Sequence, residues 1–180
     1  VYVSKRDRNW NYTVRSPLDR HLVFPVYHRQ IFPYFWYISN STEEIPEKER
    51  IRILAYDLKV LDKGCEELGI TLNEVQKQQF ITFYEYLVEK NKVMNLTGIT
   101  EFQEVLVKHF LDSLACVKAV EMNKINKIMD IGTGAGFPGV PLKIAFPHLE
   151  ACLLDSLKKR VNFLEETFDL LKLEDITAIH

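Results

Sequence analysis

The sequence is poor in cysteine and in net charge and has no long uninterrupted apolar run, and each shortage removes a class of function. Its 3 cysteines, Cys65, Cys116 and Cys152, are far apart and match no zinc-ligand spacing, so no metal ligand is named. They read as buried free thiols in a reducing cytoplasm. A formal net charge of −2 supplies no polycationic field, and contact with nucleic acid has to come from local patches. The most apolar early stretch, residues 21–38, is broken by Pro25, Arg29 and Pro33 and is too short to span a bilayer. No signal peptide or membrane span is readable, so a cytoplasmic chain is expected. What remains is 180 residues, 47% hydrophobic, enough for one core, or one core and an accessory segment.

Residues 1–52 are expected to lie outside the fold, as an extension of unclear origin. Up to Thr42 they carry Lys5, Arg6, Arg8, Arg15, Arg20 and Arg29 against Asp7 and Asp19, without sustained helical or strand periodicity. Basic residues interleaved with aromatics can form a platform for single-stranded nucleic acid. Here the bases precede residue 30, and the aromatic cluster Phe32, Tyr34, Phe35, Trp36 and Tyr37 follows it. The chain opens with Val rather than Met, and Ser39-Asn40-Ser41-Thr42-Glu43-Glu44 reads as a linker. A dispensable, upstream-read segment is the reading adopted.

Residues 53–125 read as a helical subdomain. Leu58, Leu61, Cys65 and Leu68 recur at helical spacing, and Gly69 stands where a helix end favours positive φ. Thr71-x-x-Glu74 reads as a capping box ahead of the stripe Phe80, Phe83, Tyr84, Leu87 and Val88, which ends in the 91–98 region. Thr100-x-x-Gln103 repeats that signature ahead of a third helix through Val105, Leu106, His109, Phe110 and Leu114, ending near Val120.

Residues 126–180 switch period. Lys127-Ile128-Met129-Asp130-Ile131 runs straight into glycine, as a buried parallel strand does at a tight turn. A helix from Gly139 to Phe146, a strand at Glu150 to Leu154, a helix at Leu157 to Leu171 and a strand at Ile176 to Ile179 follow. The order β-α-β-α-β predicts the first half of a doubly wound α/β sheet, an incomplete Rossmann-like fold.

The loop after the first of these strands can be parsed in two ways. Gly134, Gly136 and Gly139 give the dinucleotide pattern G-x-G-x-x-G, whereas Gly132, Gly134 and Gly136 give G-x-G-x-G directly after the strand. A dinucleotide needs its pyrophosphate seated on free N–H groups at the helix start, and Pro138 and Pro141 remove two donors there. S-adenosylmethionine carries no phosphate and needs only glycines that let the backbone approach it. The second parse is adopted. Asp155, ending the second strand, stands where a carboxylate can accept from both ribose hydroxyls of an adenosine, or can cap the helix that follows. Asp130 is open to solvation, to loop N–H groups or to ligand.

Four blocks carry a resemblance: Asn95-Leu96-Thr97, the segment from Lys108 to Leu114, the segment from Asp130 to Gly139, and the segment from Leu154 to Arg160. Together they resemble the bacterial small-subunit ribosomal RNA guanine-N7 methyltransferase family, also called glucose-inhibited division protein B, over about residues 56–180. The resemblance implies a methyltransferase fold and transfer of a methyl group from S-adenosylmethionine to N7 of a guanine in 16S ribosomal RNA of the small ribosomal subunit. It carries cofactor roles to Gly132 and Phe137 and, by position, to Asp155 and Ser156, beside Gly134 and Gly136 of the loop. Residues 1–52 have no counterpart in the family. An adenine-bordering Ala-Glu pair and a later arginine do not occur within the 180 residues, which by themselves are expected to transfer no methyl group.

Guanine N7 has a lone pair and no proton, so no catalytic base is named. Lys158-Lys159-Arg160 reads as a solvated face or a contact to rRNA phosphates. His109 and Asp112 read as a brace between the helices and the sheet, or as a surface near substrate. The rival functions are an NAD-dependent oxidoreductase and a non-catalytic remnant or helical interaction module.

Overall fold

The computed structural model describes residues 2–6, 9–15, 21–23 and 56–180. The chain divides into two compact units, Val1–Glu47 and Lys48–His180. In the first, β1 (Tyr2–Arg6), β2 (Asn9–Arg15) and β3 (His21–Val23) form an antiparallel sheet, with Arg6 opposite Asn9 and Arg15 opposite His21. This corrects the expectation that no strand periodicity exists there. Trp10, Tyr12 and Val14 alternate with Asn11, Thr13 and Arg15, a period of two that the basic residues obscure. The aromatic cluster at 32–37 and the linker at 39–44 lie outside the described residues.

The second unit holds the helical part and the parallel sheet together. Helix α1 (Lys59–Glu67) closes as expected around Gly69, whose φ is +70°. The Gly69 N–H donates to Glu66 O at 3.0 Å and the Ile70 N–H to Cys65 O at 2.8 Å, the paired bonds of a Schellman ending. Buried Ile70 thereby belongs to the end of α1, and the next helix starts later than the Thr71 pattern predicts. Helix α2 (Glu74–Met94) is capped by Asn73, with Gln76 completing the box in place of Thr71 and Glu74. Similarly, Glu101, not Thr100, caps α3 (Phe102–Val105).

The third helix is not a single α-helix. A π-helical turn (Leu106–Leu111) follows α3, then α4 (Asp112–Leu114) and a 3-10 turn (Ala115–Lys118). The Asp112 N–H reaches back to Val107 O, and this wider turn brings consecutive residues closer together around the axis. At Gly64 an added Cβ would lie 2.5 Å from Leu111 Cδ1, so glycine lets α1 sit directly against the turn.

Strand β4 (Lys127–Ile131), helix α5 (Gly139–Ala145), β5 (Glu150–Leu154), α6 (Lys158–Leu171) and β6 (Ile176–Ile179) complete the unit. The sheet is parallel in the order β4-β5-β6, with Lys127 opposite Glu150 and Ala151 opposite Ile176. This is an incomplete Rossmann-like fold preceded by helices. Ala151 and Leu153 on one sheet face are buried with Val140, Ile144, Phe163 and Leu164. Met129 and Ile131, which alternate with the core-facing residues of β4, are 64% and 77% exposed. None of the helices in the described residues is long and apolar enough to cross a membrane.

Two amides dock α2 on the layer behind the sheet. Gln76 is buried; its Nε2 donates to Ile144 O at 2.8 Å and Ala145 O at 3.2 Å, while its Oε1 accepts from the Asn73 N–H. Gln79 Nε2 donates to Leu171 O at 2.8 Å. Both supply donors to carbonyls that a helix end leaves without an intrahelical partner. A glutamate at position 76 could cap α2 but could not donate to α5, which explains why glutamine takes this place in the box. Gln76→Ala is therefore expected to destabilise the fold by about 1–3 kcal/mol, because it strands buried polar groups on two elements. Urea unfolding checks this; a midpoint equal to that of the parent would show that the amide does not join the layers.

Candidate functional site

Where β4 ends, the chain turns sharply: Gly132, Gly134 and Gly136 have φ of +80°, +62° and +95°. L-side chains adopt these values at a cost, and glycine adopts them freely. Nothing lies within 4 Å of the position a Cβ would take at Gly132 or Gly134. These two glycines keep an open backbone face that a side chain would fill.

The donors of this loop are turned inward. The N–H groups of Gly132 and Thr133 both reach Leu154 O, at 2.9 and 3.0 Å, and those of Gly136 and Phe137 reach Thr133 O at 2.9 and 3.1 Å. Gly134 N–H donates to Asp155 Oδ2 at 3.0 Å, and Gly139 N–H to Asp130 Oδ2 at 3.0 Å. Thr133, buried inside the loop, also donates its hydroxyl to Asp130 Oδ2 at 2.7 Å. At the start of α5 the orphan positions are Pro138, Gly139, Val140 and Pro141. The prolines have no N–H, Gly139 is held by Asp130, and Val140 donates to Gly136 O at 2.8 Å. A pyrophosphate finds no N–H cradle at this helix end.

Asp130 is thus a staple for the loop. Asp155 is buried, its side chain 3% exposed. It is the second staple, and it also turns the chain into α6: Oδ1 accepts from the Leu157 N–H at 2.8 Å, and Oδ2 lies 3.4 Å from Arg160 Nη1. Leu157, the residue before α6, has no side-chain cap, so the aspartate acts through an Asx turn one step ahead of the helix. Ser156 is exposed beside it, and its carbonyl lies 3.1 Å from His180 Nε2. Lys158 and Lys159 are exposed, whereas Arg160 belongs to the aspartate. The structure therefore gathers Gly132, Gly134, Gly136 and Asp155 around one turn, with Phe137 on its far limb and Ser156 at its rim.

Phe137 joins the loop to the helices. Its ring centroid lies 4.6 Å from that of His109, nearly parallel at 14°, and 5.4 and 6.2 Å from Phe83 and Phe110. His109 Nε2 is 2.7 Å from Thr97 Oγ1. His109 is a brace between helices and loop, and Asp112 is exposed on the next turn. The roles of Thr97, Thr133 and Gln76 are not announced by the sequence; the readable signals are the place of Thr97 in the Asn95-Leu96-Thr97 block and a threonine inside a glycine-rich turn. Among the described residues no cluster of three or more His, Cys, Asp or Glu could hold a metal ion.

Burial pushes the His109 imidazole below the ordinary value of 6.5, against the weaker opposing pull of the Lys108 backbone and the Asp112 carboxylate. Below 6.5 the unfolded chain then binds more protons than the folded one, so stability falls as pH drops from 6.5 through the depressed folded value. His109→Gln is expected to flatten that part of the profile of unfolding free energy against pH. An unchanged slope would assign the acid sensitivity to other groups.

Residues 76–180 match the family model described as rRNA small subunit methyltransferase G. The chain is 51% identical over 121 residues to the ribosomal RNA small subunit methyltransferase G of Alkaliphilus metalliredigens, covering 67% of this chain and 51% of that protein. It is 51% identical over 118 residues to the protein of the same name in Lachnoclostridium phytofermentans, covering 66% and 49%. For the Bacillus subtilis protein of that name the figures are 49% over 117 residues, 65% and 49%. The chain spans about half the length of these curated relatives.

Proposed function

The chain belongs to the rRNA small subunit methyltransferase G family, and from that premise we propose that it carries the cofactor-binding part of an enzyme that methylates N7 of a guanine in 16S ribosomal RNA. S-adenosylmethionine is the methyl donor in this reading, the small ribosomal subunit the partner, and the cytoplasm the setting. The observation that carries the choice of cofactor is the inward use of the loop donors. A nicotinamide dinucleotide would have to break bonds to Asp130, Asp155 and backbone carbonyls to seat its pyrophosphate. A phosphate-free adenosine ligand needs none of them.

The residues present fit that ligand. Gly132 and Gly134 offer an open backbone face, and Phe137 stands on the limb beyond them. A carboxylate has about four acceptor positions, and the three donors on Asp155 leave capacity for a ribose hydroxyl. Ser156 at the rim adds a hydroxyl. When bound, S-adenosylmethionine supplies an electrophilic methyl group on its sulfonium. The protein has to orient and to exclude water, because guanine N7 presents a lone pair and holds no proton to remove. Holding two reactants in line can be worth roughly 7–11 kcal/mol in favourable cases.

The reading is tested in a chimaera in which residues 76–180, which match the family model, replace the matching segment of the Bacillus subtilis relative. With labelled S-adenosylmethionine and unmodified small subunits, it is expected to label N7 of a guanine in 16S rRNA. Gly134→Val in the same chimaera is expected to abolish labelling, since a β-branched residue both resists positive φ and fills the open face. Undiminished transfer by that variant would place the cofactor elsewhere.

A further inference from the structure

His109 is a polar ring in an aromatic cluster. Phe80, Phe83 and Phe110 beside it are fully buried, and Phe110 packs 4.9 Å from Phe80 and 5.7 Å from Phe83. A phenylalanine at 109 would avoid the cost of burying an imidazole. What the imidazole adds is a handle: Nε2 is tied to Thr97 Oγ1, and a ring held at its edge cannot tilt as a tethered hydrocarbon can.

The anchor is itself held. Asn91 Oδ1 accepts from the Leu96 N–H at 2.6 Å and the Thr97 N–H at 2.9 Å, and Thr97 Oγ1 accepts from the Ile99 N–H at 3.0 Å. Asn95, in the left-handed region with φ of +50°, turns the chain out of α2 into this bracket. On the helical side, Ser113 Oγ donates to the His109 carbonyl. The π-helical turn aims His109 and Phe110 at the same ring, and of the three aromatic neighbours of Phe137 the histidine is the closest and the flattest. Phe137 nevertheless stays half-buried, in the same loop as the open face at Gly132 and Gly134.

We propose that His109 is a positioning residue for the cofactor loop: anchored by Thr97, it backs the Phe137 ring and holds the 132–139 loop in the shape that receives S-adenosylmethionine. The proposal rests on the cofactor reading above. His109 touches no reacting atom in this role; it raises the fraction of molecules whose loop is ready to bind, and apparent affinity scales with that fraction.

The test is calorimetric titration with S-adenosylhomocysteine of the unsubstituted protein, His109→Leu, His109→Phe and Thr97→Val, with melting temperatures measured alongside. His109→Leu keeps the apolar volume and loses the flat ring; its affinity is expected to fall roughly two- to tenfold, the range that one aromatic stack supports. His109→Phe and Thr97→Val both keep a ring against Phe137 and lose its tie to Thr97, so both should fall between His109→Leu and the unsubstituted protein. Binding by His109→Leu equal to the unsubstituted protein, or by His109→Phe as weak as by His109→Leu, would overturn the proposal. If His109→Leu does not fold, unchanged affinity in Thr97→Val overturns it. An unsubstituted protein that does not bind S-adenosylhomocysteine would overturn the cofactor reading instead, and this proposal with it.

Discussion

Two carboxylates at the ends of neighbouring parallel strands hold the glycine loop by its N–H groups, and the chemistry of the site follows from that. Asp130 Oδ2 takes the Gly139 N–H and the Thr133 hydroxyl, and Asp155 Oδ2 takes the Gly134 N–H. A parallel register places these side chains on either side of the turn, since Asp130 pairs with Leu153 and Asp155 follows directly after β5. The loop can then be glycine-rich without being loose. Of its positive-φ glycines, Gly134 is held by the Asp155 carboxylate and Gly132 and Gly136 by backbone carbonyls, and bonds to a charged acceptor are the stronger kind. The same bonds withdraw the donors that a phosphate would need.

The helical part serves this loop from the other side. Gln76 and Gln79 bind α2 to the ends of α5 and α6, while Phe137 inserts among Phe83, His109 and Phe110. Tyr86 and Lys90 add bonds to Glu166 on α6 at the surface, where such pairs contribute little to stability. The two amides and the ring cluster therefore carry the coupling. Any shift of the π-helical turn would be felt at the loop through the contacts of His109 and Phe110 with the Phe137 ring.

Much of this was legible in the sequence, for identifiable reasons. The strands and crossover helices of residues 127–179 announce themselves through a change of period, and the alternating glycines through the absence of any other reason to weaken a turn. The prolines at 138 and 141 pointed correctly to a donor-poor helix start. Cap positions were less legible, because Thr71 and Asn73 are both good N-caps and only the Schellman ending of α1 decides between them. The strands of the first unit were missed because their alternation runs through polar and basic residues. The staple role of Asp155 and the pairing of Thr97 with His109 could not be read, since both depend on where the turn and the π-helical segment place groups that are distant along the chain.

Ligand choice reads directly whether the loop donors are spent or available. Side-by-side calorimetric titrations of the protein with S-adenosylhomocysteine and NADH are predicted to give saturable heat for the first and none for the second. Saturable binding of NADH, with S-adenosylhomocysteine silent, would show that the N–H groups held by Asp130 and Asp155 open to a pyrophosphate, and would overturn the assignment of this loop to a phosphate-free adenosine ligand.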